Sequence, residues 1–169
     1  MTPTPSCTPL EDNLCFAVYA ANHAFTAAYK PLLEPLGLTY PQYLVLLILW
    51  ERDAQSLKEI GARLHLDSGT LTPLLKRMEG AGLLNRMRDP GDERQIRLRL
   101  TPQGQALQVR AAGVRQALGC ALGEAEDAVA ALRDQLAAVA GRLRASCQPL
   151  SPDPFLKRGP PSAAKAASS

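Results

Sequence analysis

Ser56-Leu-Lys-Glu-Ile-Gly-Ala-Arg-Leu-His-Leu-Asp-Ser-Gly-Thr-Leu-Thr-Pro-Leu-Leu-Lys-Arg-Met-Glu-Gly-Ala-Gly-Leu-Leu-Asn-Arg-Met-Arg-Asp-Pro-Gly-Asp-Glu-Arg-Gln-Ile-Arg-Leu-Arg-Leu-Thr101 is the stretch that decides the fold. Ser56 and Glu59 have the spacing of a capping box, in which side chains satisfy the amide donors left open at a helix start. Leu57, Ile60 and Leu64 follow at helical spacing and predict a helix of two to three turns. Asp67 or Ser68 caps the next helix, whose buried stripe is Leu71, Leu74, Leu75 and Met78. That stripe leaves Ser68, Thr70, Thr72, Lys76 and Arg77 facing outward. Hydroxyls near a helix start suit base edges and phosphates, and Lys and Arg suit phosphates or guanine. Gly80 and Gly82 end the helix.

Two strands are predicted next, Leu83 to Asp89 and Gln95 to Leu100. In the second, Ile96, Leu98 and Leu100 alternate with Arg97 and Arg99, the pattern of a half-buried strand. The tip between them, residues 89–94, is turn chemistry with Arg94 at its edge. Thr101-Pro102 opens another helix, with proline at a tolerated first-turn position. The expected class is mainly α with a small β-wing: a winged helix-turn-helix. One helix can enter a major groove while the charged hairpin tip reaches the adjacent minor groove. Any one of these arginines is equally at home as a solvated surface charge; the order of the elements carries the reading, not the single residue.

Composition sets the limits. The chain has 169 residues, and its net charge is only +3. Total charge therefore says little about nucleic acid, but Lys76, Arg77, Arg86, Arg88, Arg94, Arg97 and Arg99 all fall within residues 76–99. Local clustering is the footprint a DNA surface leaves. No basic segment followed by an apolar run opens the chain, and the apolar run Tyr43–Trp50 is too short to span a bilayer, so a cytoplasmic location and no membrane partner are expected. In that compartment thiols stay reduced. The four cysteines, at 7, 15, 120 and 147, form no Cys-x-x-Cys pair; with only His23 and His65 beside them, no metal site or cofactor is expected. There is no His-Glu-x-x-His, no phosphate-binding Gly-Lys-Ser/Thr loop and no Gly-x-Ser-x-Gly, which argues against an enzyme.

Outside the decisive stretch, residues 1–10 read as a flexible arm and residues 148–169 as a disordered tail. Between them, 11–147 reads as one domain, with 39–101 for DNA and 11–38 plus 102–147 for dimerisation. A first helix is expected over Glu11–Tyr29, burying Leu14, Val18 and Phe25, then a proline-interrupted bend over Lys30–Leu38. Thr39 and Gln42 form a second capping box, with Pro41 early in its helix. The helix continues through Tyr43–Trp50, apolar almost all round and so expected at the centre of the core. A fifth helix is expected over Pro102–Leu118 and a sixth over Glu124–Ser146, the latter with Val129, Leu132, Leu136, Val139 and Leu143 at helical spacing. These alanine-rich helices have no wing to cover them, and pairing with a second copy through the N- and C-terminal helices is the expected solution.

Leu66-Asp-Ser-Gly-Thr-Leu-Thr-Pro-Leu-Leu-Lys-Arg77, followed by Asp89, Asp92, Arg94 and Leu100-Thr101, resembles the MarR superfamily of winged-helix repressors. Within it, the Asp-Ser-Gly-Thr-Leu-Thr-Pro run resembles the branch that senses organic hydroperoxides. The likeness runs from about Leu14 to Cys120. It implies a homodimer on an inverted-repeat, double-stranded DNA operator. The contact residues implied are Ser68, Thr70, Thr72, Pro73, Lys76 and Arg77 on the recognition helix, and Arg86, Asp92 and Arg94 on the wing.

Read from its surroundings alone, Cys15 fits inert packing better than chemistry, since a lone cysteine in an apolar helix is usually packing and a buried tyrosine usually just satisfies its hydroxyl. A reactive thiolate would gain from tyrosine hydroxyls that donate to it, and an apolar surround would favour greasy peroxides. The resemblance implies the reactive role: Leu14-Cys15-Phe16-Ala17 is similar to the sensing site of that branch. Tyr29 and Tyr40 match its thiolate-binding tyrosines, contributed across the dimer, with Tyr19 a further contact. In the two-cysteine members a partner thiol traps the sulfenic acid, and Cys120 matches its place; Cys7 and Cys147 have no counterpart, and a small thiol is the other route. The expected function is a repressor that releases its operator when Cys15 is oxidised. Relief by a non-covalent small aromatic ligand is the alternative, and a thiol peroxidase a third reading.

Overall fold

The computed structural model describes residues 9–89, 91–92 and 94–146. The expected arm, except for its last two residues, the tail, Cys7 and Cys147 lie outside them. Helix α1 spans Leu14–Leu33, α2 Tyr40–Glu51, α3 Leu57–Leu64, α4 Ser68–Gly80, α5 Pro102–Arg110, α6 Ala112–Leu122 and α7 Glu126–Ser146. Strands β1 (Gln55–Ser56), β2 (Leu84–Arg88) and β3 (Ile96–Leu100) form an antiparallel sheet in the order β1-β3-β2. The chain divides into one unit up to Gly123 and a second from Glu124, whose described helix is α7.

Both capping boxes form. The Gln42 side chain accepts from the Thr39 N–H at 2.8 Å, and Glu59 accepts from the Ser56 N–H at 2.7 Å while Ser56 Oγ accepts in return from Glu59 N–H. These bonds hold the Glu59 carboxyl below its usual range, the backbone donor at Ser56 first among them. Asp67, not Ser68, caps α4, accepting from Thr70 N–H at 2.9 Å. The expected stripe of α4, Leu71, Leu74, Leu75 and Met78, is buried in full. It meets Val45, Leu46 and Leu49 of α2, Ile60 of α3 and Leu84 and Leu98 of the wing in one core. Full burial of a side chain of this size stabilises by about 1.5–3 kcal/mol, so α4 is fixed from behind.

The structure departs from the sequence reading in several places. Helix α1 starts at Leu14, after a 3-10 turn over Leu10–Asp12, and runs through Pro31 to Leu33. Leu33 is 1% exposed, and its burial draws the helix past the proline. Leu14 and Val18, expected inside, are 62% and 45% exposed in the single chain, and Phe25 is half-buried. The expected fifth helix is two, broken at Ala111 between α5 and α6. Strand β1 was not expected: two residues with no alternation carry no signal by themselves. Gln55 earns its burial by donating to the carbonyls of Ile48 at 2.9 Å and Arg52 at 2.7 Å, closing the end of α2.

Gly104 is demanded by contact. A Cβ on Gly104 would stand 2.0 Å from the Leu83 carbonyl oxygen. There α5 presses on the base of the wing, and Trp50 Nε1 donates to the Gly104 carbonyl at 3.0 Å. No single helix among the described residues is long and apolar enough to cross a membrane.

Candidate functional site

Two places carry chemistry-bearing side chains. The first is the outer face of α4 with the wing. Ser68, Thr70, Pro73, Lys76 and Arg77 are exposed and Thr72 is half-buried, so the helix presents hydroxyls at its start and cations further along. The Thr70 hydroxyl donates to Asp67 at 3.0 Å, which leaves its oxygen free only as an acceptor.

On the wing the arginines separate by role. Arg94 is exposed and makes no ion pair among the described residues. Asp92 shapes the tip beneath it, accepting from Arg94 N–H at 3.1 Å and from Gln95 Nε2 at 3.0 Å. The Arg86 side chain is only 18% exposed and stands 3.8 Å from Glu79, so its charge is largely spent inside the protein. Arg97, part of the basic run, is tied to the protein itself: its Nε donates to Asp89 and its Nη1 to the Ala54 carbonyl at 2.9 Å. The Gly91 N–H and then the Arg97 guanidinium hold the Asp89 carboxyl below its usual range. Sequence reasoning could not sort these three arginines, because the sorting depends on Glu79 and Asp89.

The second place is the end of α1 and the start of α2. Tyr29 and Tyr40 stack with ring centroids 4.4 Å apart, and Tyr43 lies 6.0 Å from Tyr29. Burial first, then the neighbouring Tyr40 and Tyr43, push the Tyr29 hydroxyl up to about 12. Burial also raises Tyr40 and Tyr43. These hydroxyls thus keep their protons, and stay hydrogen-bond donors, at any physiological pH. A cavity of about 640 Å³ adjoins Tyr40 of this cluster, lined also by Thr26, Ala27, Leu33, Leu38 and Pro41 among others.

Cys15 does not sit there in its own chain. It is exposed on the first turn of α1, and Cys120 is exposed near the end of α6; both are free thiols. From Cys15 to Tyr29 the helix rises about 21 Å at 1.5 Å per residue. Tyr19, one turn from Cys15, is its tyrosine neighbour in the same chain; it packs against His23 at 4.4 Å. Among the described residues no three His, Cys, Asp or Glu side chains gather as a metal site would.

Residues 38–96 match the profile of the MarR family. The chain is 52% identical, over 80% of its length and 70% of the relative's, to the HTH-type transcriptional regulator TtmR of Methylorubrum extorquens (strain PA1). It is 50% identical to the organic hydroperoxide resistance transcriptional regulator of Bacillus subtilis (strain 168), over 62% of this chain and 71% of that one. Among solved structures, reduced AbfR bound to DNA superposes with a TM-score of 0.68 at 37% identity, covering 79% of this chain and 94% of the other; AbfR is a protein of Staphylococcus epidermidis.

Proposed function

Because the chain belongs to the MarR family of transcriptional regulators, we propose that it binds an inverted-repeat DNA as a homodimer and lets go when an organic hydroperoxide oxidises Cys15. The observation that carries the reading is the stacked, protonated Tyr29–Tyr40 pair, beyond reach of the Cys15 of its own chain. Donors with no thiolate and a thiol with too few donors are complementary, and a second copy brings them together. The exposed Leu14, Val18 and Tyr19 on α1 are the surface such a copy would cover. The 50% identity to a regulator named for organic hydroperoxide resistance and the likeness to a DNA-bound regulator support the same reading.

The chemistry is balanced within two thiols and one peroxide. The Cys15 thiolate attacks the outer peroxide oxygen and the O–O bond breaks. The departing alkoxide takes a proton and leaves as an alcohol, with the sulfur oxidised to a sulfenic acid. The Cys120 thiol of the other copy then attacks that sulfur, a disulfide forms and water leaves. Hydrogen bonds from Tyr29 and Tyr40 stabilise the attacking anion, and the mainly apolar cavity beside Tyr40 favours a peroxide with a hydrocarbon part. Peroxide is consumed once per dimer site, as a signal and not in turnover.

The test uses a labelled operator fragment, the wild type and Cys15→Ser. Cumene hydroperoxide should release the wild type and leave the variant bound. Release of Cys15→Ser by peroxide would overturn the reading; release of both by a small aromatic ligand alone would favour a non-covalent effector.

A further inference from the structure

We propose that Arg115 is a positioning residue for this thiol chemistry, supplying through the tyrosine cluster the positive charge against which a bound thiolate is stabilised. The proposal rests on the reading that Cys15 of a second copy meets Tyr29 and Tyr40.

Arg115 lies on α6, which packs along α1. Just before α6, Arg110 donates to the Pro35 carbonyl at 2.9 Å, so the chain enters α6 at the end of α1 that holds Tyr29. Arg115 lines a groove of about 380 Å³ with Tyr43, Leu47, Trp50, Glu51 and Gln108. From that groove the aromatic rings continue inward: Tyr43 lies 6.0 Å from Tyr29, and Tyr29 stacks on Tyr40 at 4.4 Å. The anion that the tyrosines are built to receive would therefore sit at one end of a ring cluster with a guanidinium at the other.

An exposed arginine is ordinarily a solvated charge or one half of an ion pair. Here the carboxylate in the same groove is taken: Glu51 binds Arg63 at 2.5 Å. Among the described residues Arg115 forms no ion pair. Its charge does act on the cluster, opposing the effect of burial at both Tyr29 and Tyr43. The other ionisable groups around the pair, His23, Lys30 and Glu34, line the cavity on the α1–α2 side, where Lys30 and Glu34 carry opposite charges. A cation beside a cluster of phenols, with the one carboxylate of its groove already paired to Arg63, is suited to favour an arriving negative charge.

The experiment uses the full chain with Cys7, Cys120 and Cys147 replaced by Ser, leaving Cys15 as the thiol whose loss is followed. Oxidation by cumene hydroperoxide is timed from pH 5 to 10 for this protein and for its Arg115→Ala, Arg115→Lys and Tyr29→Phe forms, with reduced-state DNA affinity as the check of folding. Arg115→Ala should oxidise about two- to threefold more slowly near neutral pH and its pH profile should move up by a few tenths of a unit, the size of effect a charge about 10 Å away exerts near a protein surface. Its alkaline plateau should be unchanged, and Arg115→Lys should restore most of the rate. An Arg115→Ala profile superimposable on the parent's overturns the proposal; so does a slowing that Lys does not rescue and that moves no pH midpoint, because that is a packing effect. If Arg115→Ala does not fold, the Lys form against Arg115→Gln gives the same comparison. Tyr29→Phe separates the two levels: a wild-type rate there removes the tyrosine reading itself, whereas a slow Tyr29→Phe beside an unaffected Arg115→Ala removes only the arginine.

Discussion

Arg94 and Arg97 stand three residues apart in the same basic run and are held in opposite ways. Arg94 sits over a turn tied by Asp92, with its own side chain in solvent. Arg97 is clamped by Asp89 and by the Ala54 carbonyl. Arg94→Ala is therefore expected to weaken operator binding by about 1–3 kcal/mol and to leave the melting temperature unchanged, as titrations at matched salt and thermal melts would read. Asp89→Asn tests the clamp through pH. The Asp89 carboxyl is lowered in the fold, so its contribution is present above the ordinary aspartate value of about 3.9 and is lost as pH falls through the lowered one. The stability gap between wild type and Asp89→Asn should be full at neutral pH and should close in acid; a gap that stays constant down to pH 3 would remove the charge from the explanation. Ala54 itself is held at φ 55°, in the left-handed region. That conformation costs a non-glycine residue about 1–2 kcal/mol, and glycine returns about 0.5–1 kcal/mol of it in chain entropy. Ala54→Gly should stabilise by a few tenths to about 1 kcal/mol in urea melts, with the Arg97 bond to its carbonyl intact.

At the scale of elements, what could be read in the chain is what is written locally. The two capping boxes, the buried stripe of α4 and the alternation of β3 each lie within a few consecutive residues, and each forms as expected. The misses have non-local causes. Strand β1 exists because Gln55 and Ser56 pair with Leu98 and Arg97, more than forty residues on. Helix α1 passes Pro31 because Leu33 is needed in the core. The break at Ala111 sits where that residue is buried against the core at 4% exposure. For the candidate site, the outward face of α4 was legible, but the distance between Cys15 and its proposed tyrosines emerges only from the length of a continuous helix. The joint between α2, α5 and the wing was likewise invisible in advance. Gly104→Ala would drive a methyl into the Leu83 carbonyl, and overpacking of this kind costs about 1–3 kcal/mol or more. The loss should appear in denaturant melts, and Trp50 fluorescence should report a disturbed bond to Gly104 even in the folded fraction.

For the whole molecule, the question is how the proposed oxidation of Cys15, at one end of α1, would reach α4. The path in the described structure is short. Helix α1 packs on α2, and α2 packs on α3, α4 and α5. The core that joins them is closely filled, with Val45, Leu46 and Leu75 among its fully buried members, so a shift of α1 cannot be absorbed by soft material. A disulfide accepts only about 4.4–6.8 Å between its Cα atoms. If Cys15 and the Cys120 of a second copy start farther apart than that, forming the bond must move α1 and α6, and both recognition helices move with them. Two helix-turn-helix units read half-sites about 34 Å apart on one face of the duplex, and a change in their spacing costs affinity without touching a single DNA contact residue. One equivalent of cumene hydroperoxide per chain should therefore give a covalent dimer on a non-reducing gel, with Cys15 linked to Cys120 by peptide mapping, and a parallel loss of operator binding that dithiothreitol reverses. Cys120→Ser should lose the covalent dimer while Cys15 still forms its sulfenic acid. A monomeric band from the wild type, or a bridge through Cys7 or Cys147 instead, would remove Cys120 from the mechanism and leave Cys15 standing as the sensor.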